Sequence, residues 1–374
     1  DLGIGAYRTD EGKPWVLPVV RKAVLEILTD ESLDYEYLGQ LGDDSFASSA
    51  AGLLLGDNCR AIDERRAFGI QCLSGTGALR IGAEFLSRSA GFTTVYVSDP
   101  SWTNHRSVLE SVGLNVCAYR YWDAGARRLD FDGLIEDLRA APVDSIVILQ
   151  ACAHNPTGVD PTGDQWLTIA EVMRERRLFP FFDCAYQGLA SGDVDRDALS
   201  VRTFVDMEFE MICAQSFAKN FGLYNERIGS LTVVLKSCEP AVNVRSQITR
   251  LVRENYSNPP VHGSRIVTKV LTDPTLRQEW EECIQVMASR MRAMRSALRE
   301  GIERSGTPGQ WSHITEQCGM FCYTGLGERQ VQHLLDRYHI YAPKDGRISL
   351  CGLNTTNVEY VAKAISDCVH QSDH

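Results

Sequence analysis

The chain has 374 residues, 44% of them hydrophobic and 23% charged, which is ordinary for a globular protein and enough for a large core. Its 38 Lys and Arg stand against 49 Asp and Glu, a formal charge of −11, which argues against nucleic acid or an anionic membrane surface as partners because both select basic patches. No run reaches the ~20 apolar residues of a membrane-crossing helix, and the 12 cysteines are scattered without paired zinc-type spacing, so no metal site is expected and they read as reduced thiols of a cytoplasmic protein.

The opening DLGIGAYRTD reads as interior sequence, with no signal-like segment. Downstream, FGIQCLSGTG is a strand entering a glycine-bearing turn, followed by the helix ALRIGAEFLSR. TTVYVSDPSW and LNVCAYRYW are further strands, the latter followed by the helical FDGLIEDLRAA. SIVILQACAHNPTG is a buried strand ended by Asn-Pro and Gly, and the helix after it places Trp166, Ile169, Ala170 and Met173 on one face. LFPFFDCAYQG, EMICAQSFAKN and GSLTVVLK are three more buried strands. The alternation predicts an α/β fold: a mostly parallel sheet with helices on both faces and ligands at the carboxyl ends of the strands. From Leu276 to Ile302 the apolar stripe predicts one long helix, after which GMFCYTG, RQVQHLLDRY, GRISLCGL and NVEYVAKAISDCV suggest a smaller α+β domain that also takes up the opening residues.

Several polar residues fall at these predicted strand ends. Lys219, in QSFAKNFGLYNERIG, has Ser216 and Arg227 nearby; a lysine partly desolvated beside a cation has a lowered pKa and makes a competent amine for a Schiff base, although a lysine at a strand end can equally point to solvent. Ser74, Gly75, Thr76 and Gly77 lie between a strand and a helix, where free N–H groups and hydroxyls suit a phosphate to which Arg227 could add a fork. Asp183 closes FPFFD, and a carboxylate after four apolar residues needs a partner: a protonated ring nitrogen, a helix N-terminus or a structural cation. Asn155 in HNPTG, Tyr186 and Trp102 in PSWTNH could hydrogen-bond or stack on a planar ring, or could serve only turn and core. The order of the set — phosphate turn, aromatic, Asn, Asp, Lys, Arg — matches the needs of pyridoxal 5'-phosphate.

With these motifs in hand, the sequence resembles the fold-type I, class I aminotransferases that depend on pyridoxal 5'-phosphate, and among them the animal aspartate aminotransferase family. GAYRTDEGKPWVLPVVRKA, ACAHNPTG, FPFFDCAYQGLASG, SFAKNFGLYNERIG, YSNPP and GRISLCGL carry the likeness over essentially the whole chain, and LYNERIG with AYQGLASG are nearer the cytosolic form. The resemblance implies a large cofactor-binding domain over 15–286, built on a seven-stranded sheet, and a small domain from 1–14 and 287–374. It implies that Lys219 holds the cofactor aldehyde and then carries the substrate proton, that Asp183 pairs with the ring nitrogen with His105 behind it, and that Asn155 and Tyr186 hydrogen-bond the ring oxygen. Trp102 would stack on the ring. Ser74, Gly75, Thr76, Ser216 and Arg227 would hold the phosphate, with Tyr37 reaching in from the neighbouring subunit of a homodimer. Arg347 would clamp the substrate α-carboxylate, Arg253 of the other subunit the side-chain carboxylate, and Gly5 would lie beside the substrate.

The activity so implied is transfer of an amino group from aspartate to 2-oxoglutarate, giving oxaloacetate and glutamate by a ping-pong cycle. Two other readings stand beside it: aspartate racemisation or decarboxylation on the same scaffold, and a non-catalytic protein that keeps the fold. Three features depart from the family. Gln150 stands where a histidine is usual beneath the ring. Ala218 replaces the serine of the cytosolic form, as in the mitochondrial one. The N-terminal arm that braces the family's dimer lies outside this sequence.

Overall fold

A computed structural model of the chain describes residues 1–372. Seven strands make the central sheet: β1 (Ala67–Leu73), β2 (Thr94–Asp99), β3 (Asn115–Arg120), β4 (Ile146–Gln150), β5 (Phe179–Cys184), β6 (Met211–Ser216) and β7 (Ile228–Val234). Their spatial order is β1-β7-β6-β5-β4-β2-β3. All neighbours run parallel except β7, which is antiparallel to both β1 and β6.

The apolar runs of the sequence are explained by burial on both faces. Ile146 and Ile148 of β4, Phe181 of β5, and Ile212 and Ala214 of β6 point into one core with Leu79 and Ile81 of the helix Ser74–Arg88. Val147, Leu149, Phe182, Cys184, Met211 and Cys213 alternate to the other face, where Trp166, Ile169, Ala170 and Met173 cover them. The predicted stripe of the Gly163–Glu175 helix thus faces the sheet.

The long helix runs Pro274–Arg304, starting at Asp273, whose carboxylate accepts from the Thr275 and Leu276 amides. Its buried stripe serves two cores in turn. Leu276, Trp280, Ile284, Met287 and Met291 join the core beneath the Lys219 turn. Met294, Leu298 and Ile302 join a separate core with Trp311, Ile348, Val361 and Ile365. Over this second core lie β8 (Phe321–Tyr323) and β9 (Arg347–Ser349), paired antiparallel. The opening residues join it too: Leu2 N donates to Tyr341 O at 2.8 Å and Leu2 O accepts from Ser349 N at 2.6 Å.

Candidate active site

The carboxyl ends of the parallel strands and the entry to β7 meet the β8–β9 unit at one cleft. Ser74, Gly75, Thr76, Trp102, Gln150, Asn155, Asp183, Tyr186, Ser216, Lys219, Arg227, Gly5 and Arg347 all line it. The sequence reading is therefore brought together at one place, with two exceptions: Tyr37 is 84% exposed and Arg253 is exposed near the end of the Ala241–Asn255 helix, and neither lines this cleft within the one chain.

Lys219 sits in the turn that follows β6. Phe217 and Phe221, four residues apart, are both fully buried and pack on each other with ring centroids 5.6 Å apart. Trp280 Nε1 donates to Asn220 O at 2.8 Å and anchors the same turn. With its neighbours fixed downward, the lysine turns to the cleft, and its Nζ lies 5.4 Å from the centroid of the Tyr186 ring. Burial pushes its pKa below the ordinary lysine value, and Arg227 works in the same direction against the opposing pull of Asp183.

Asp183 lies between Gln150 of β4 and Ala214 of β6 in the sheet register. It is 7% exposed, and its Oδ2 is 2.8 Å from His105 Nε2, whose Nδ1 is 2.9 Å from Ser101 Oγ. A buried carboxylate held from one side by an imidazole keeps its other side for a cation in the cleft. Trp102 meets His105 edge to face, at 5.3 Å.

Asn155 follows β4 in a turn that Asp160 holds by accepting from the Ala153 and His154 amides, at 2.7 and 2.9 Å. Its Nδ2 donates to Tyr186 OH at 3.4 Å and its Oδ1 accepts from Arg347 Nη1 at 3.1 Å. Burial, then the charge of Asp183, raises the Tyr186 phenol above its ordinary pKa. Arg347 also donates from Nη2 to Gly3 O at 2.9 Å and stands 4.2 Å over the Phe321 ring. Its Nε is buried with no hydrogen-bond partner among the described residues, so one donor of the fork is left for an acceptor in the cleft.

The other end of the cleft suits a phosphate. The helix Ser74–Arg88 begins without a side-chain cap, leaving its first N–H groups free. Ser74 Oγ and Ser216 Oγ are 3.1 Å apart, and Arg227 shares the same wall while donating to Tyr224 O at 2.8 Å. A Cβ at Gly75 would come within 3.1 Å of Ser216 Cβ, so a side chain there would fill this cradle. Hydroxyls and free amides at one end, a buried carboxylate at the other and an amine between them fit a phosphorylated pyridine aldehyde.

Phe321, Leu79 and Ala185 line the cleft without having been singled out from the sequence. Phe321 lies in a strand that the sequence does reveal, but its placement under Arg347 is a contact across 26 residues that no local pattern signals.

A doubly wound sheet with a desolvated lysine and an anion cradle at its carboxyl edge defines the class: the chain belongs to the aminotransferase class I and II family, whose sequence model matches residues 1–365. Within that family it is similar to aspartate aminotransferases. The cytoplasmic aspartate aminotransferase of Caenorhabditis elegans is 53% identical over 370 residues, covering 99% of this chain and 91% of that protein. The structure of the aspartate aminotransferase from Saccharomyces cerevisiae cytoplasm superimposes with a TM-score of 0.97 at 44% identity, covering 99% of this chain and 92% of that one. The aromatic-amino-acid aminotransferase of Burkholderia pseudomallei, covalently bound to pyridoxal phosphate, gives a TM-score of 0.96 at 42% identity, covering 98% and 92%.

Proposed function

We propose that this chain is a cytoplasmic aspartate aminotransferase that uses pyridoxal 5'-phosphate to move the amino group of L-aspartate to 2-oxoglutarate, giving oxaloacetate and L-glutamate. The observation that carries the reading is the meeting of Lys219, Asp183 and Arg347 in one cleft. The cytoplasmic descriptions of the worm and yeast relatives support the location.

Ser74, Gly75, Thr76, Ser216 and Arg227 would hold the phosphate, Asp183 the ring nitrogen, and Asn155 and Tyr186 the ring oxygen, while Trp102 covers the ring face. Bound there, the cofactor supplies an aldehyde to take up the amino group and a ring that draws electrons from the substrate Cα. Lys219 would serve as the amine that bonds the aldehyde and as the base that takes the substrate Cα proton, and its lowered pKa leaves more of it neutral and available for both roles. Asp183 would face the ring nitrogen, with His105 fixing its orientation. Arg347 holds the α-carboxylate through a fork that includes its free Nε. The side-chain carboxylate is assigned to Arg253 of the partner subunit, and Tyr37 of the partner subunit to the phosphate. A homodimer also accounts for exposed apolar side chains clustered near the start of the chain, among them Leu25 at 63%, Leu28 at 68% and Tyr35 at 93%.

The test is to load the purified protein with pyridoxal 5'-phosphate, reduce it with borohydride and map the modified peptide, then assay a second sample with L-aspartate and 2-oxoglutarate. The expected result is label on Lys219, a visible-band change on adding aspartate, and equal yields of oxaloacetate and glutamate. Absence of label on Lys219 sinks the reading. So does formation of D-aspartate or alanine in place of oxaloacetate.

A further inference from the structure

Gln150 is the last residue of β4, lies beside Asp183 in the register and is 6% exposed. Its amide makes two hydrogen bonds to a single residue. Nε2 donates to Asn155 O at 2.9 Å and Oε1 accepts from Asn155 N at 2.8 Å. This is the pair of bonds that two directly opposed residues exchange in an antiparallel ladder, supplied here by a side chain where the sheet ends. Asn155 in turn touches Tyr186 and Arg347 through its own side chain.

We propose that Gln150 is a positioning residue: its amide locks the Asn155 backbone in place and thereby sets the distances from the Asn155 side chain to Tyr186 and Arg347. The inference rests on the aminotransferase reading above for its catalytic meaning, but the lock itself is independent of it. Only a primary amide of this length meets both demands. A carboxylate accepts but does not donate. An imidazole can donate from one nitrogen, but its second nitrogen points away from the same peptide edge. Asparagine is one methylene too short to span both groups. The lock is also neutral, so it holds Asn155 without adding charge next to Asp183.

The experiment compares wild type with Gln150→Met, which keeps length and bulk, and Gln150→His, which can keep one bond at most. Three quantities are read: amide hydrogen exchange at Asn155 with and without cofactor, the absorbance band of the cofactor-loaded protein, and the dissociation constant of succinate followed through that band. Both variants are expected to exchange the Asn155 amide about tenfold faster or more, to move the absorbance band, and to bind succinate about tenfold more weakly, with the melting temperature changed by only a few degrees. Wild-type exchange and succinate affinity in either folded variant overturn the proposal. Weakened binding that merely tracks a lowered melting temperature, with the band unmoved, also overturns it. Should wild type take up no cofactor, the functional reading fails, while exchange at Asn155 still decides whether Gln150 is the lock.

Discussion

At the scale of single residues, the site works by placing ordinary side chains where their usual charge or hydrogen bonding is incomplete. Lys219 is desolvated and beside a cation, so its amine is more available at neutral pH than that of a surface lysine. Arg347 carries one donor without a partner, over an aromatic face, with its other two nitrogens already bound to Asn155 and Gly3. A lysine there keeps the charge but loses the planar fork. Arg347→Lys is expected to lower kcat/KM for aspartate and for 2-oxoglutarate by about ten- to a hundred-fold, the loss of one or two charge-assisted hydrogen bonds, with cofactor absorbance retained; steady-state kinetics on both substrates checks it. Much of this site was legible in the sequence because a Lys and an Asn that follow buried strands, and an Asp near the end of one, must each be accounted for. What was not legible depends on chain segments far apart. Phe321 beneath Arg347 leaves no local pattern, and the two bonds from Gln150 to Asn155 depend on the path of the turn between them.

At the scale of elements, the proposed phosphate cradle depends on how closely the turn at Ser74 lies on the sheet. Gly229, the second residue of β7, makes this approach possible: a Cβ there would lie 2.5 Å from Gln215 O and closer still to the Ser74 carbonyl carbon. Both obstacles are backbone, so neither can swing aside. Gly229→Ala is expected to cost about 1–3 kcal/mol of stability and to displace the Ser74 turn, so that the protein loses cofactor on dialysis where wild type keeps it. Retention equal to wild type would show that the cradle tolerates the shift. The short helix His313–Glu316 gives a second prediction, in pH. His313 is 4% exposed, with Nε2 3.1 Å from Thr324 O, and burial followed by the charge of Arg127 lowers its pKa to about 4. Between that value and the ordinary 6.5 the unfolded chain binds the proton and the folded chain does not, so stability is full above pH 6.5 and falls as pH drops toward 4. The loss from this group by pH 5 is about 2 kcal/mol. His313→Leu should show a correspondingly shallower decline between pH 7 and pH 5 in denaturant titrations. The strands and the long helix were readable because burial on both faces leaves continuous apolar runs and a helix on a core leaves a stripe. The reversal of β7 was not, since an antiparallel strand buried on both faces has the same run of apolar residues as a parallel one.

At the scale of the whole molecule, the stripe of the long helix passes from the core beneath Lys219, which Phe321 also joins, to the core that holds Ile348, the neighbour of Arg347. We propose a boundary near residue 287, which would put the cofactor's anchors on residues 15–286 and the α-carboxylate clamp on the remainder. Within one chain this leaves the second substrate carboxylate unmatched, because Arg253 lies exposed and outside the cleft. If Arg253 serves the cleft of the partner subunit, the two defects Lys219→Ala and Arg253→Ala must complement each other when subunits are exchanged. In the mixed dimer one cleft carries both lesions and the other carries neither, since its lysine and its borrowed arginine both come from intact positions. Random exchange of equal amounts makes half the dimers mixed, with one good cleft of two, so dicarboxylate turnover should recover to about a quarter of wild type from two parents that are each nearly inactive. If Arg253 instead served its own chain, every cleft in the mixture would keep one lesion and mixing would restore nothing. Turnover of aspartate before and after unfolding and refolding the two variants together separates these outcomes.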